Sequence, residues 1–120
     1  MNKEEKDFQI IDQIYSILRD GTRRKILTLL SNMKLTADDL TKELAISRPA
    51  VEKHLKQMLD IGLIERIADT YPTLKYLYTI PEPSVELMSN IQDAIEDFVT
   101  SLRADYIRRL ENEEQLYLLG

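Results

Sequence analysis

The sequence predicts a mainly α-helical fold with one small β-hairpin. Three observations lead to this prediction. Apolar residues recur at helical spacing along most of the chain, two short helices with well-marked ends occupy residues 35–62, and two short segments rich in Ile and Tyr follow directly. Apolar stripes near both ends of the chain predict two further helices, one N-terminal and one long and C-terminal.

The N-terminal part predicts two consecutive helices. The first has an apolar stripe and ends near Asp20 and Gly21. Its stripe consists of Phe8, Ile11, Ile14, Tyr15 and Leu18. Residues 22–30, TRRKILTLL, predict a second helix that is broken by the polar pair Ser31 and Asn32. The apolar stripe of the first helix requires a surface on which to pack.

Capping residues mark the ends of the two short helices. Thr36 and Asp39 have the spacing of a capping box, in which each side chain bonds the backbone of the other residue. Ser47 is a good N-cap for the second helix, and Pro49 in its first turn removes an amide that would have no helical partner. Gly62 can adopt the left-handed conformation that ends this helix.

The second short helix predicts a DNA-reading surface. Its apolar residues face inward at helical spacing, which leaves Arg48, Lys53, Lys56 and Gln57 on the outer face. A helix about 10 Å in diameter fits a major groove about 12 Å wide. The residues of this helix that we assign to DNA contact are Ser47, Arg48, Pro49, Ala50, Lys53, His54, Lys56 and Gln57. Arg48, Lys53 and Gln57 are the candidates for base edges, and Ser47 with the free amides beside it for phosphate.

A β-hairpin is predicted directly after these helices. Residues 63–68 and 76–80 form the two strands, and Pro81 with Pro83 ends the second strand. A helix-turn-helix followed by a hairpin is the order of a winged helix, whose hairpin tip can lie over the phosphate backbone. Arg66 and Lys75 flank this tip and complete the predicted DNA contacts.

The C-terminal segment predicts a long helix that Ser84 caps. Met88, Ile91, Ile95, Phe98 and Leu102 follow the alternating three-and-four spacing of a coiled-coil seam, which then drifts to Tyr106 because Asp105 occupies the next position. Such a stripe needs a partner, so we expect a homodimer through both terminal helices. Its predicted interface is Phe8, Ile11, Ile14, Tyr15, Leu18, Met88, Ile91, Ile95, Phe98, Leu102 and Tyr106. Residues 1–83 would form the winged helix-turn-helix and residues 84–120 the dimerisation helix of one compact domain.

Composition limits the chemistry that is available. The chain has 120 residues, no cysteine, one histidine and three glycines, so disulfides, thiolate metal sites, nucleophile-base pairs and a glycine-rich nucleotide loop have no obvious components. We therefore expect no enzyme activity, no metal and no cofactor. The sequence contains neither a signal-peptide pattern nor an apolar run of about 20 residues, which predicts a cytoplasmic protein without membrane partners.

The net charge of −5 has the wrong sign for a simple electrostatic DNA binder. Residues 1–83 carry 13 basic and 13 acidic residues, whereas residues 84–120 carry 3 and 8. The acidity therefore belongs to the C-terminal segment, and residues 42–57 have a local excess of two positive charges. The charge leaves a second interpretation open, in which the winged helix binds a basic protein partner and no DNA.

Three segments together resemble the ArsR-type winged-helix transcriptional regulators. They are LRDGTRRKILTLL, TADDLTKELAISRPAVEKHLKQMLDIGLIE and the hairpin with YLYTI, and the likeness covers residues 10–80. The resemblance implies a dimeric DNA-binding regulator, usually a repressor, whose terminal helices form the dimer. It does not identify a small-molecule effector.

The sequence departs from that family at three places. Metal-sensing members have paired cysteines where residues 36–40 stand here, and other members build a zinc site from carboxylates and histidines on the last helix. The single histidine here is His54, within the predicted DNA-reading helix, where it either contacts DNA or bonds the preceding short helix. Many relatives also carry Gly and Arg at the hairpin tip, where this chain has residues 70–73, TYPT.

Overall fold

The computed structural model describes residues 2–119 and confirms the predicted fold class. Five helices and one two-stranded antiparallel sheet make up the described chain. In chain order the elements are α1 (Lys3–Arg19), α2 (Gly21–Asn32), α3 (Ala37–Leu44), α4 (Arg48–Asp60), β1 (Glu65–Asp69), β2 (Lys75–Thr79) and α5 (Glu82–Leu119). The chain divides into two units, the first ending at Val85 and the second starting at Glu86, and each unit is described by itself.

The side chain of Asp20 caps the second helix directly after the first helix ends. Asp20 follows the last residue of α1 and is the N-cap of α2, where its Oδ1 accepts from the backbone amides of Thr22 at 2.8 Å and Arg23 at 3.2 Å. These amide bonds, that of Arg23 first, hold the pKa of the Asp20 carboxyl below its ordinary value. The chain can therefore turn between two helices without an intervening loop.

The capping box at the start of α3 is confirmed. Thr36 donates its backbone amide to Asp39 Oδ2 at 2.9 Å, and Asp39 donates its own amide to Thr36 Oγ1 at 3.1 Å. The bond from the Thr36 amide is the main reason that the pKa of Asp39 is lowered. The helix ends at Ala45, whose φ of 53° is left-handed. The turn between α3 and α4 is therefore defined from both sides.

We predict that Asp39→Ala destabilises the protein by about 1 kcal/mol at neutral pH. A lowered folded-state pKa gives stability that is present above the unfolded-state pKa of about 4 and is lost as the pH falls through the folded-state value. The difference between wild type and variant should therefore shrink as the pH falls below about 4. Urea unfolding at a series of pH values measures it. Glu43→Ala, on the same helix and exposed, is the control, and an equal loss in both variants would contradict the prediction.

Both predicted ends of α4 are confirmed. Ser47 Oγ accepts from the Ala50 amide at 3.3 Å, and Pro49 lies in the first turn. At the other end the Gly62 amide bonds the Leu59 carbonyl and the Leu63 amide bonds the Met58 carbonyl, each at 3.0 Å, with Gly62 at φ 80°. These two bonds form a Schellman ending.

The core of the first unit lies beneath α4 and the hairpin. Tyr78 of β2 exchanges two backbone hydrogen bonds with Leu35, which ties the segment before α3 to the sheet. The sheet pairs Glu65 with Thr79 at one end and Asp69 with Lys75 at the other. Buried apolar residues include Ile17, Ile26, Leu27, Leu30, Leu35, Leu40, Val51, Leu55, Met58, Leu63, Ile64 and Tyr78. This packing fixes the position of α4 and leaves its opposite face at the surface.

Some predicted boundaries were wrong by one or two residues. The helix α2 includes Ser31 and Asn32, because their side chains donate to the carbonyls one turn earlier instead of competing with the helix. The strand β1 starts at Glu65 because Leu63 and Ile64 are buried in the core before pairing begins. The strand β2 runs from Lys75 to Thr79 and not from 76 to 80.

The start of α5 also differs from the prediction. The helix begins at Glu82, where the Pro81 carbonyl accepts from the amides of Ser84 and Val85. Ser84 is therefore inside the first turn and buried, and it is not the N-cap. Pro83 fits there because the first-turn amides have no helical partner.

The second unit is the remainder of α5, and an apolar stripe along it is exposed. Ile95 is 57% exposed, Phe98 62%, Leu102 51% and Tyr106 63%. Asp105, which interrupts the seam, pairs within the helix with Arg108 and with Arg109, the latter at 2.8 Å. Among residues 2–119, no helix is long and apolar enough to cross a bilayer.

Candidate nucleic-acid interface

The outer face of α4 carries three exposed cations. Arg48 lies in the first turn, Lys53 in the second and Lys56 one turn further along, and all three side chains are exposed. Ser47 and Pro49, also exposed, flank Arg48, and Ala50 is half-buried. The predicted display of these basic groups on one surface helix therefore agrees with their exposure. Whether they contact DNA stays a prediction.

Two of the three cations are paired with carboxylates. Arg48 donates Nη1 to Asp38 Oδ1 at 2.7 Å and Nε to Glu52 Oε1 at 3.0 Å. The hydrogen bond to Glu52 and then the charge of Asp38 raise the pKa of the Arg48 guanidinium above its ordinary value. Lys56 pairs with Asp60 at 2.9 Å.

The surface around α4 is consequently neutral. The three carboxylates of Asp38, Glu52 and Asp60 balance the three positive charges of the exposed cations. Lys53 itself forms no ion pair within the described part of the chain. The charge excess of the sequence window 42–57 does not extend to the folded surface, because Asp38 and Asp60 lie outside that window. Lys53 is the cation most available to a ligand.

Gln57 does not belong to the exposed face. The structure places this residue half-buried, and its Oε1 is shielded from solvent without a hydrogen-bond partner within residues 2–119. It lines a small pocket together with Ser16 and Ile17 of α1 and Arg23 of α2. The prediction of an outward side chain was wrong because α1 and α2 cover this side of the helix.

His54 bonds α2 and not the preceding short helix that was predicted as its alternative partner. Its Nδ1 accepts from Arg23 Nε at 3.1 Å, and Arg23 Nη1 also donates to the Ser16 carbonyl at 3.3 Å. The partner is therefore α2, not α3. Because Nδ1 is the acceptor, the ring proton resides on Nε2, and any contact with a phosphate would use that nitrogen. The bond between Arg23 and His54 joins α2 to α4.

The hairpin carries its basic residues beside its own aromatic and acidic groups. Arg66 stacks over the Tyr76 ring with its guanidinium carbon 4.3 Å from the ring centre. The Nζ atom of Lys75 lies 3.8 Å from Oδ2 of Asp69. At the tip, Tyr71 and Leu74 are exposed. The tip is thus apolar and not cationic.

An open cleft of about 1180 Å³ separates the hairpin from α3 and α4. Arg48 and Lys56 line one wall, and Arg66 and Lys75 line the other. The four predicted DNA contacts from helix and hairpin therefore border one depression. No group of three metal-ligating side chains exists within residues 2–119.

Four partners of these side chains were not predicted from the sequence: Asp38, Glu52, Asp60 and Arg23. Glu52 stands four residues after Arg48 and Asp60 four residues after Lys56, a spacing at which opposite charges pair on a helix, so both were readable from the sequence. Asp38 is ten residues from Arg48 and Arg23 is 31 from His54, and the fold brings each pair together. No spacing rule could have found those two.

The class of protein follows from the arrangement of these elements. A helix-turn-helix whose second helix lies beside a hairpin defines a winged helix-turn-helix, and solved structures share the fold. The homodimeric winged helix-turn-helix DNA-binding domain of Mb0332 from Mycobacterium bovis has a TM-score of 0.70 at 19% identity and covers 82% of this chain and 90% of that chain. An ArsR-like transcriptional regulator from Rhodococcus sp. RHA1 has a TM-score of 0.59 at 24% identity and covers 92% and 94%.

Sequence comparison finds a likeness to one family of regulators over part of the chain. Residues 20–66 match the model described as "Bacterial regulatory protein, arsR family". The HTH-type transcriptional regulator Rv2034 of Mycobacterium tuberculosis is 40% identical over 53 residues, 44% of this chain and 50% of that protein. The transcriptional repressor SdpR of Bacillus subtilis is 38% identical over 45 residues, 38% of this chain and 50% of that protein. The chain spans half the length of both relatives. These matches confirm that residues 20–66 resemble the ArsR family of bacterial regulatory proteins.

Proposed function

We propose that this protein is a homodimeric transcriptional regulator that binds double-stranded DNA in a sequence-specific manner. The observation that carries the proposal is the exposure of Arg48, Lys53 and Lys56 along one helix, capped at both ends and bordered by a hairpin across a cleft. A surface helix of this kind can enter a major groove while the hairpin lies near the adjacent backbone.

The homodimer is supported by the apolar surface of the terminal helices. Phe8, Ile11 and Tyr15 are exposed on α1, and a four-residue stripe is exposed on α5. Association of two copies would remove these groups from water, and each large apolar side chain buried gains about 1.5 to 3 kcal/mol. The neighbouring Mb0332 domain is described as homodimeric. Two recognition helices about 34 Å apart would then meet successive major grooves of a near-palindromic site.

We propose that the protein represses transcription. The relative SdpR is described as a transcriptional repressor, and the likeness covers 45 residues. The absence of cysteine in the sequence argues for a regulator without thiolate metal sensing, and its site of action would be the cytoplasm, where a bacterial chromosome lies. We assign it no catalytic reaction, no cofactor and no membrane partner. We assign no residues to the binding of a small-molecule effector.

Selection from a random oligonucleotide pool tests the proposal directly. Repeated capture and amplification should enrich one sequence with two related half-sites, because a two-fold symmetric protein reads the same bases twice. The selected duplex is then titrated against a scrambled duplex of equal composition by fluorescence anisotropy. Failure to enrich any sequence, together with no binding to either duplex at low salt, would refute the proposal.

A protein-interaction module is the second candidate, and the neutral α4 surface favours it. Non-specific DNA affinity comes from cations that neutralise phosphates, and this surface offers one cation without an acidic partner in the described chain. Under this second function an acidic terminal helix would bind a basic protein. The same titration separates the two candidates, because the interaction module retains no DNA even at low salt.

A further inference from the structure

Arg48 is held by two carboxylates that come from different helices. Asp38 belongs to the first turn of α3 and Glu52 to the turn of α4 that follows Arg48. The distances of 2.7 Å and 3.0 Å make both contacts hydrogen-bonded ion pairs. The Nη2 group of Arg48 has no protein partner within residues 2–119. A fork that is held at two nitrogens in this way is a property of arginine that a lysine could not reproduce.

Arg48 can exchange these two carboxylates for another hydrogen-bond acceptor. The side chains of Arg48, Asp38 and Glu52 are 54%, 66% and 53% exposed, so water surrounds the cluster. Exposed ion pairs contribute little to stability, and their partners separate readily. Arg48 can therefore leave its carboxylates when a better acceptor arrives. The kind of acceptor decides whether this exchange is favourable.

Phosphates and base edges differ as acceptors for this arginine. A phosphate that approaches Arg48 also approaches two carboxylates, and the cluster as a whole has a charge of −1, so part of the attraction is cancelled. The O6 and N7 atoms of guanine are uncharged acceptors in the correct geometry for an arginine fork. The carboxylates therefore penalise contact with the backbone of arbitrary DNA more than contact with a guanine edge.

We propose that Asp38 and Glu52 are specificity-determining residues that restrain Arg48, so that it engages a guanine edge in preference to backbone phosphate. This inference rests on the proposed function and adds two acidic residues to the surface that reads DNA. Both are positioning residues, because they act on DNA through Arg48.

The test is the double variant Asp38→Asn and Glu52→Gln, titrated on a duplex of random sequence and on the duplex selected from the pool. We expect affinity for the random duplex to rise about fivefold and affinity for the selected duplex to change less than about twofold, so that the preference falls. The slope of log affinity against log salt on random DNA should steepen by about 0.9, the value of one added phosphate contact. Thermal unfolding monitors the fold of each variant.

A matched control separates this effect from a change in net charge. Asp7→Asn with Glu43→Gln removes the same two negative charges from exposed helix positions that form no ion pair within residues 2–119. We expect less than a twofold effect there on random DNA. Adding Arg48→Ala to the first double variant should abolish its gain, because the freed arginine makes the new contact.

Three outcomes would overturn the inference. Equal gains in the two double variants would show that bulk charge is responsible. A gain that survives Arg48→Ala would show that the carboxylates do not act through this arginine. Both results leave the proposed function standing. If the wild type binds neither duplex, the proposed function fails and the inference fails with it.

Discussion

Phe98→Glu is expected to convert the protein from a dimer to a monomer at micromolar concentration. Phe98 lies in the middle of the exposed stripe of α5, and at a two-fold interface each substitution acts twice. Two glutamates that replace two phenylalanines lose apolar burial and place like charges in a surface from which water would be excluded. The dissociation constant of the dimer should rise at least about a hundredfold. Sedimentation equilibrium measures it.

Affinity for DNA should fall when the dimer dissociates. When two linked recognition helices engage two half-sites, the second contact forms at a high effective concentration, which strengthens binding by about 10² to 10⁴. Phe98→Glu should therefore lose roughly a hundredfold in affinity for the selected duplex while a single half-site is bound as before. The measurement is anisotropy with one-site and two-site duplexes.

Thr100→Glu provides the matched control for this variant. It introduces the same charge into α5, and residue 100 is exposed about 200° around the helix from Phe98. We expect it to remain dimeric and to bind DNA as the wild type does. A Phe98→Glu variant that stays as dimeric as Thr100→Glu would place the interface elsewhere. A wild type that sediments as a monomer at micromolar concentration would refute the homodimer itself.

The features that were predicted correctly from the sequence depend on interactions between residues that are close in sequence. The bonds between Thr36 and Asp39 and the bond at the Ser47 N-cap each join residues three positions apart. They therefore depend on local backbone geometry and not on how the helices pack against one another. The ending at Gly62 is local in the same way, because the two bonds that end α4 join residues three and five positions apart. Helix identity and the hairpin followed from periodicity for the same reason.

The features that the sequence did not reveal depend on packing between distant segments. Gln57 lies at a helical position that a projection assigns to the outer face, yet α1 and α2 cover it and shield its Oε1. Asp38 reaches Arg48 across the turn between α3 and α4, and together with Asp60 beside Lys56 it offsets the local excess of two positive charges. Charge counted along a sequence window is therefore a poor guide to the charge of a folded surface.

Lys53→Ala should weaken binding to the selected duplex by about 5-fold to 150-fold, the loss of about 1 to 3 kcal/mol that follows removal of a base-reading side chain. Lys53 is exposed in the second turn of α4 and has no acidic partner within residues 2–119. It can therefore approach DNA without first breaking an ion pair. Arg48→Ala should cost a similar amount on the selected duplex, because the exposed bonds of Arg48 to Asp38 and Glu52 contribute little energy that DNA binding would lose.

The two duplexes distinguish what Lys53 contacts. If it reads a base, affinity for the selected duplex falls and affinity for the scrambled duplex does not. If it contacts phosphate, both affinities fall together and the salt slope loses about one unit. Lys25→Ala is the control, because residue 25 is exposed on α2 about 200° around that helix from Arg23, the residue that faces α4. Equal affinities of Lys53→Ala, Lys25→Ala and the wild type would exclude the outer face of α4 from the interface.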